Sequence, residues 1–161
     1  MQTKILIFSL LLLLGILYLS AFARALQILG RIYVKKQFKK KPNFYFFPVL
    51  VRKLFPKNSW DSLFYILSFT KKLTSFLYAT TFFFYLNHFH INTLSSFKWL
   101  LIAFIVTAIG VCFDFFIRLL VKTNPKSILK IASPLSHFFL LLFSPITLLL
   151  LKIQNLISYN Q

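Results

Sequence analysis

Residues 62–86 read SLFYILSFTKKLTSFLYATTFFFYL, a run dense in Phe, Leu, Tyr and Thr whose only charges are Lys71 and Lys72. It is long enough, as a helix, to cross a bilayer core roughly 30 Å thick. If the helix begins near Asp61, the lysine pair lies roughly 15 Å along it, at about 1.5 Å per residue, close to the bilayer midplane. Ionisable groups at that depth are costly, face a bundle interior or water, and mark functional sites by default. The lysines therefore require a partner. The chain has two acids, Asp61 and Asp114, and Asp114 lies inside another apolar segment. Adjacent helical positions diverge by about 100°, so at most one lysine is expected to face Asp114 while the other snorkels or meets a second subunit.

The rest of the composition agrees with a lipid environment. Of 161 residues, 58% are hydrophobic, 19% aromatic and 22 are Phe, with a mean hydropathy of +0.77. A soluble domain of this size cannot hide so much apolar surface, so the chain reads as an all-α integral membrane protein. A formal net charge of +17 invites a nucleic-acid reading. The cations flank apolar runs, however, as the positive-inside rule requires, and no nucleic-acid partner is expected. Cys112 is read as a small buried hydrophobe, and a lone cysteine forms no intramolecular disulfide. No linker, repeat or low-complexity tract divides residues 1–161, so a single membrane domain is expected.

Working outward, residues 5–23 are uncharged and long enough to span. They end in Ala21-Phe22-Ala23, which has the shape of a signal-peptidase site. Ten Lys/Arg between Arg24 and Lys57 follow, against one lysine before the run. Charge thus favours an uncleaved first span with its N-terminus outside. Leu26, Leu29, Ile32 and Tyr33 alternate with Arg24, Arg31, Lys35 and Lys36 at helical spacing, which suits an interfacial helix. Lys39-Lys40-Lys41-Pro42 breaks it, and residues 44–54 resume as a second surface-seeking piece. This basic belt should attract anionic lipid headgroups. Asn58 or Ser59 is placed to cap the second span, residues 62–86, with Asp61 in its first turn. A loop over 87–96 without Lys or Arg follows, and the third span is expected over 99–120. Segment 131–151 lacks formal charge but holds Ser133-Pro134 and Ser144-Pro145, which kink or break helices. It is expected to cross, re-enter or lie along the interface. The expected location is a cell (inner) membrane, multi-pass.

With these elements placed, the chain resembles the transmembrane domain of the CNNM/CorC family of magnesium and cobalt transport proteins. That family has three spans, an outside N-terminus and a basic juxtamembrane belt, usually followed by CBS domains. Its S-A-S-E-T-A-L segment is similar to Ser20-Ala21-Phe22-Ala23-Arg24-Ala25-Leu26. Its G-E-I-L-P-K motif, with N-P seven residues on and a later S-P, is similar to Phe113-Asp114-Phe115-Phe116-Ile117-Arg118, then Asn124-Pro125 and Ser144-Pro145. The resemblance implies a divalent-cation site, with magnesium as transported ion, built from Ser20 and Asp114. It implies a homodimer. Arg118 stands for the motif lysine, Ile117 for its proline and Phe22 for the second serine. The family's G-N-N-L region matches Thr70-Lys71-Lys72-Leu73, so lysines replace amide ligands. With no CBS module after Gln161, nucleotide-linked regulation is not expected.

Magnesium seeks hard oxygen ligands in near-octahedral array, whereas a protonated ammonium offers no lone pair. Lys71 or Lys72 beside Asp114 would substitute for the cation and repel it. Two functional expectations therefore stand together: divalent-cation transport through Ser20 and Asp114, or a non-transporting structural or accessory subunit whose site is plugged by lysine. An unrelated membrane protein using the pair as structural glue is a third. His88 and His90 form an H-x-H read as a wet interfacial loop rather than a metal clasp, and His137 as a satisfied or interfacial histidine. No hydrolytic or phosphate-loop motif occurs, so neither enzymatic activity nor a bound cofactor is expected. The Phe runs 82–84 and 115–116 are read as lipid-facing or packing groups.

Overall fold

A computed structural model of the chain describes residues 2–40, 44–55, 59–88 and 112–159. Among these, helix is the sole regular structure: α1 (Gln2–Lys40), α2 (Phe46–Leu54), α3 (Ser59–His88), α4 over 112–123, α5 (Pro125–Leu142) and α6 (Ser144–Tyr159). The protein is all-α. Thr3–Lys40 is long and apolar enough to cross a membrane, and α5 with α6 passes the same test as one bent pair. The expected second span lies within α3, which does not reach that apolarity because of its lysines and many hydroxyls. Most of the expected third span, and His90 of the outer loop, lie outside the described residues.

The first span was expected to end at Ala23, with a separate interfacial helix after it. Instead α1 runs on through Arg24, because Ala23, Ala25 and Leu26 are strong helix formers and nothing there breaks the ladder. The break falls at Gly30, whose φ of 72° and ψ of 166° lie where essentially only glycine goes. Among the described residues, no atom beyond its two chain neighbours lies within 4 Å of where a Cβ would stand, so the demand is on the backbone alone. Gly30 thereby separates the apolar part of α1 from the basic part.

α1 is the central strut, packed against α3 and α5. Leu12, Leu19, Phe22 and Leu26 follow one another at helical spacing and are all buried. They meet Leu63, Ile66 and Leu67 of α3 and Leu129, Ala132, Phe139 and Leu140 of α5 in one core, which Phe47 and Val51 of α2 extend. The close approach of α1 to α5 depends on Gly15, where a Cβ would collide with the Phe139 ring. Small residues let helices approach in this way when hydrocarbon surrounds them. One polar link crosses the same seam: the buried Ser136 hydroxyl donates to the Tyr18 carbonyl at 3.1 Å. Burial, with Tyr33 adding to it, holds the Tyr45 phenol at the base of α2 above its ordinary pKa, so it packs as a neutral group.

Of the two Ser-Pro pairs, Ser133-Pro134 does not interrupt α5, whereas Ser144-Pro145 starts a new helix after a bend of 69°. Pro145 has no N–H to give the Leu141 carbonyl. The Ser144 hydroxyl supplies that bond at 2.8 Å, and Thr147 covers the Phe143 carbonyl with both its N–H and its hydroxyl. Cys112, expected to be buried, is exposed. On α4 only Val121 is buried, while Phe115, Phe116 and Leu120 are largely exposed, so this helix turns little of its surface inward.

Gly15→Ala is expected to lower stability by about 1–3 kcal/mol through overpacking against Phe139. Thermal melts in detergent would read this, and Phe139→Leu in the same background should recover part of the loss. An unchanged melt for Gly15→Ala would show that the seam is not close-packed.

Candidate charge cluster at Asp114

α3 delivers Thr70, Lys71 and Lys72 on successive faces: Thr70 is fully buried, Lys71 half-buried and Lys72 exposed. α4 places Asp114 and Arg118 one turn apart, the spacing at which helical side chains meet. Asp114 Oδ2 accepts a hydrogen bond from Arg118 Nε at 2.8 Å, and Arg118 Nη2 lies 2.7 Å from the same oxygen. Oδ1 faces Lys71 Nζ at 3.8 Å. One carboxylate is thus held between two cations from two helices.

Distance ranks the two partners. The guanidinium makes short, charge-assisted contacts from a rigid planar fork, whereas the ammonium stands about 1 Å farther off, outside hydrogen-bonding distance. Asp114 retains 33% side-chain exposure and Arg118 53%. In water such a pair contributes little, typically below about 1 kcal/mol. In hydrocarbon the alternative to pairing is an isolated charge, which is far more costly.

The sequence-expected residues separate into three groups. Lys71 and Asp114 are brought together, with Arg118 the closer partner. Lys72 has no ion pair among the described residues, where both ion pairs go to Asp114. Ser20 is buried at 5% exposure, and no hydrogen bond among the described residues joins it to Asp114. Leu17, Tyr18 and Ala21 of α1 share an apolar cleft of about 450 Å³ with Phe113, Phe116 and Ile117 of α4, but neither Ser20 nor Asp114 lines it. Asn124 and Pro125 serve the backbone: the Asn124 side chain accepts from the Ser127 N–H at the start of α5, and Pro125 occupies its first turn. That is an N-cap followed by proline, for which a missing N–H costs nothing.

Sequence reasoning weighed the lysines against Asp114 and passed over Arg118. The signal was present, since Asp114 and Arg118 stand at i and i+4 in an apolar run. Near Lys71 a further polar atom stands out. Among the described residues the buried Thr70 hydroxyl has no hydrogen-bond partner, while Thr74 donates to the Thr70 carbonyl at 2.8 Å. His137 lies half-buried on α5, its ring near the Ser133 hydroxyl at 3.4 Å and edge-on to Phe22. Among the described residues no three His, Cys, Asp or Glu side chains gather at one point. The Asp114 carboxylate thus turns Oδ2 to Arg118 and Oδ1 to Lys71 while keeping a third of its side chain exposed.

No protein-family model, curated protein or solved structure matches the chain.

A double-mutant cycle orders the interactions. Coupling between Asp114 and Arg118 should exceed that between Asp114 and Lys71, measured as melting free energies of Ala variants in detergent. Equal couplings, or a larger one for Lys71, would contradict the ranking by distance.

Proposed function

We propose that the chain is a multi-pass helical protein of the inner membrane, a divergent relative of the CNNM/CorC membrane domain. Its former cation position is filled by its own side chains. It acts as a non-transporting structural or accessory membrane subunit. The observation that carries this reading is the Asp114 carboxylate set between two cations, with Oδ2 bound by Arg118 at 2.7–2.8 Å and Oδ1 facing Lys71 at 3.8 Å. A hydrated divalent cation arriving there would have to displace one or both, against their like charge.

Lipid as the surrounding medium is supported by the surface. Ile7, Phe8, Phe76, Phe84, Phe116, Ile131 and Leu149, from five of the helices, are each at least half exposed. A soluble protein rarely shows apolar groups so widely. The topology proposed is three spans, N-terminus outside, with α5 and α6 as a re-entrant pair. Lys126 at the start of α5 lies over the Tyr33 ring at 5.5 Å, so the basic parts of α1 and α5 are neighbours. That fits one positively charged side.

A second reading, retained divalent-cation transport, draws on the exposed third of the Asp114 side chain and on the longer Lys71 contact. Mg²⁺ flux into proteoliposomes decides between them. Wild type and Asp114→Asn are expected to be equally silent, and Lys71→Asn/Lys72→Asn to open a leak at most. Wild-type flux abolished by Asp114→Asn would overturn the proposal in favour of transport.

A further inference from the structure

We propose that a basic cleft at the bend of α1 binds the phosphate of an anionic phospholipid headgroup. Arg31 follows the Gly30 break directly, and Lys35 stands one turn further on the same face. Arg52 enters from α2, and α3 contributes its first residues, Ser59 and Trp60. Together they line a cleft of about 200 Å³ floored by Phe38, which is buried.

Three features give the cleft its ligand. The first is charge without a counter-ion. Neither Arg31, Lys35 nor Arg52 has an ion pair among the described residues, and Asp61, the nearer of the two acids in sequence, is exposed and does not line the cleft. Three like charges held on converging helices repel one another, and a bound anion relieves that repulsion. The second is the start of α3, a 30-residue helix whose first backbone N–H groups lack intrahelical acceptors and favour an anion. The third is size. Drug-sized ligands occupy roughly 300–1,000 Å³, so this smaller cleft suits a phosphate ester with a small head.

Place then selects the source of the phosphate. The cleft begins where the apolar part of α1 ends, the level at which headgroups lie, and Trp60 is the side-chain type enriched at that level. The inference rests on the membrane reading above but not on the role of Asp114. It differs from diffuse attraction to the belt, because Lys36, Lys39 and Lys40 are as basic and as exposed as Arg31, Lys35 and Arg52 but do not line the cleft.

The test compares wild type, Arg31→Gln/Lys35→Gln/Arg52→Gln and Lys36→Gln/Lys39→Gln/Lys40→Gln, which remove equal charge. Each is reconstituted into phosphatidylcholine vesicles containing a minor fraction of spin-labelled phosphatidylglycerol, and the motionally restricted lipid is measured by electron paramagnetic resonance. Helix content by circular dichroism verifies folding. Wild type and the belt variant should prefer phosphatidylglycerol over a phosphatidylcholine label, and the cleft variant should lose that preference by about tenfold or more, as expected when charge-assisted hydrogen bonds to one phosphate are removed. Equal loss in both variants would reduce the effect to diffuse charge and overturn the site. Release of the label by inorganic phosphate at constant ionic strength would overturn the lipid assignment in favour of free phosphate. Wild type that fails to enter pure phosphatidylcholine vesicles would sink the membrane reading itself. Insertion without lipid preference would sink only this inference.

Discussion

The close seam between α1 and α5 is the contact on which the other helices depend. Gly15 gives up a side chain so that Phe139 can lie against the α1 backbone, and Ser136 ties the same seam to the Tyr18 carbonyl. With α5 seated, α1 presents its buried stripe to α3 as well, and α2 closes the basic end. In water the hydrophobic effect would draw such helices together. In lipid it does not, and close packing with a few polar links must do so instead. A fold that rests on a glycine–phenylalanine contact and a serine hydrogen bond is consistent with that setting.

The same economy of polar groups governs the breaks. Where Pro145 removes a backbone donor, Ser144 and Thr147 satisfy the carbonyls left behind. An unsatisfied carbonyl in an apolar medium costs several kcal/mol, roughly. The hydroxyl beside each break is therefore as much a part of the bend as the proline. Pro134 likewise withholds an N–H from the Lys130 carbonyl, but α5 continues through it with the proline exposed.

Charge is handled by a related rule. The chain carries 19 Lys/Arg and two acids, so most cations must find water or headgroups. Two of those that lie within apolar segments share the one acid within reach, Asp114. Those near the α1 bend form no ion pair among the described residues. Neutralisation from within in one place, and from outside in the other, follows from the same shortage of carboxylates.

Much of this was legible along the chain. Apolar run lengths announced an all-helical protein, the two Ser-Pro pairs announced breaks of which only the one at Ser144 forms, and the scarcity of acids pointed one of Lys71 and Lys72 toward Asp114 before any geometry was known. Periodicity is local, so it reads well from sequence. The extent of α1 was misjudged because a basic residue, Arg24, was taken as a boundary, when charge does not end a helix and the φ of Gly30 does. Arg118 was underrated because a distance of 2.7 Å against 3.8 Å cannot be read from spacing. The sequence by itself determined helix content, charge placement and the need for a counter-ion. Only the tertiary structure decided which cation reaches Asp114 first, that Ser20 makes no hydrogen bond to it among the described residues, and that Cys112 is exposed. Those outcomes depend on how helices rotate and pack against one another, which no one-dimensional pattern specifies.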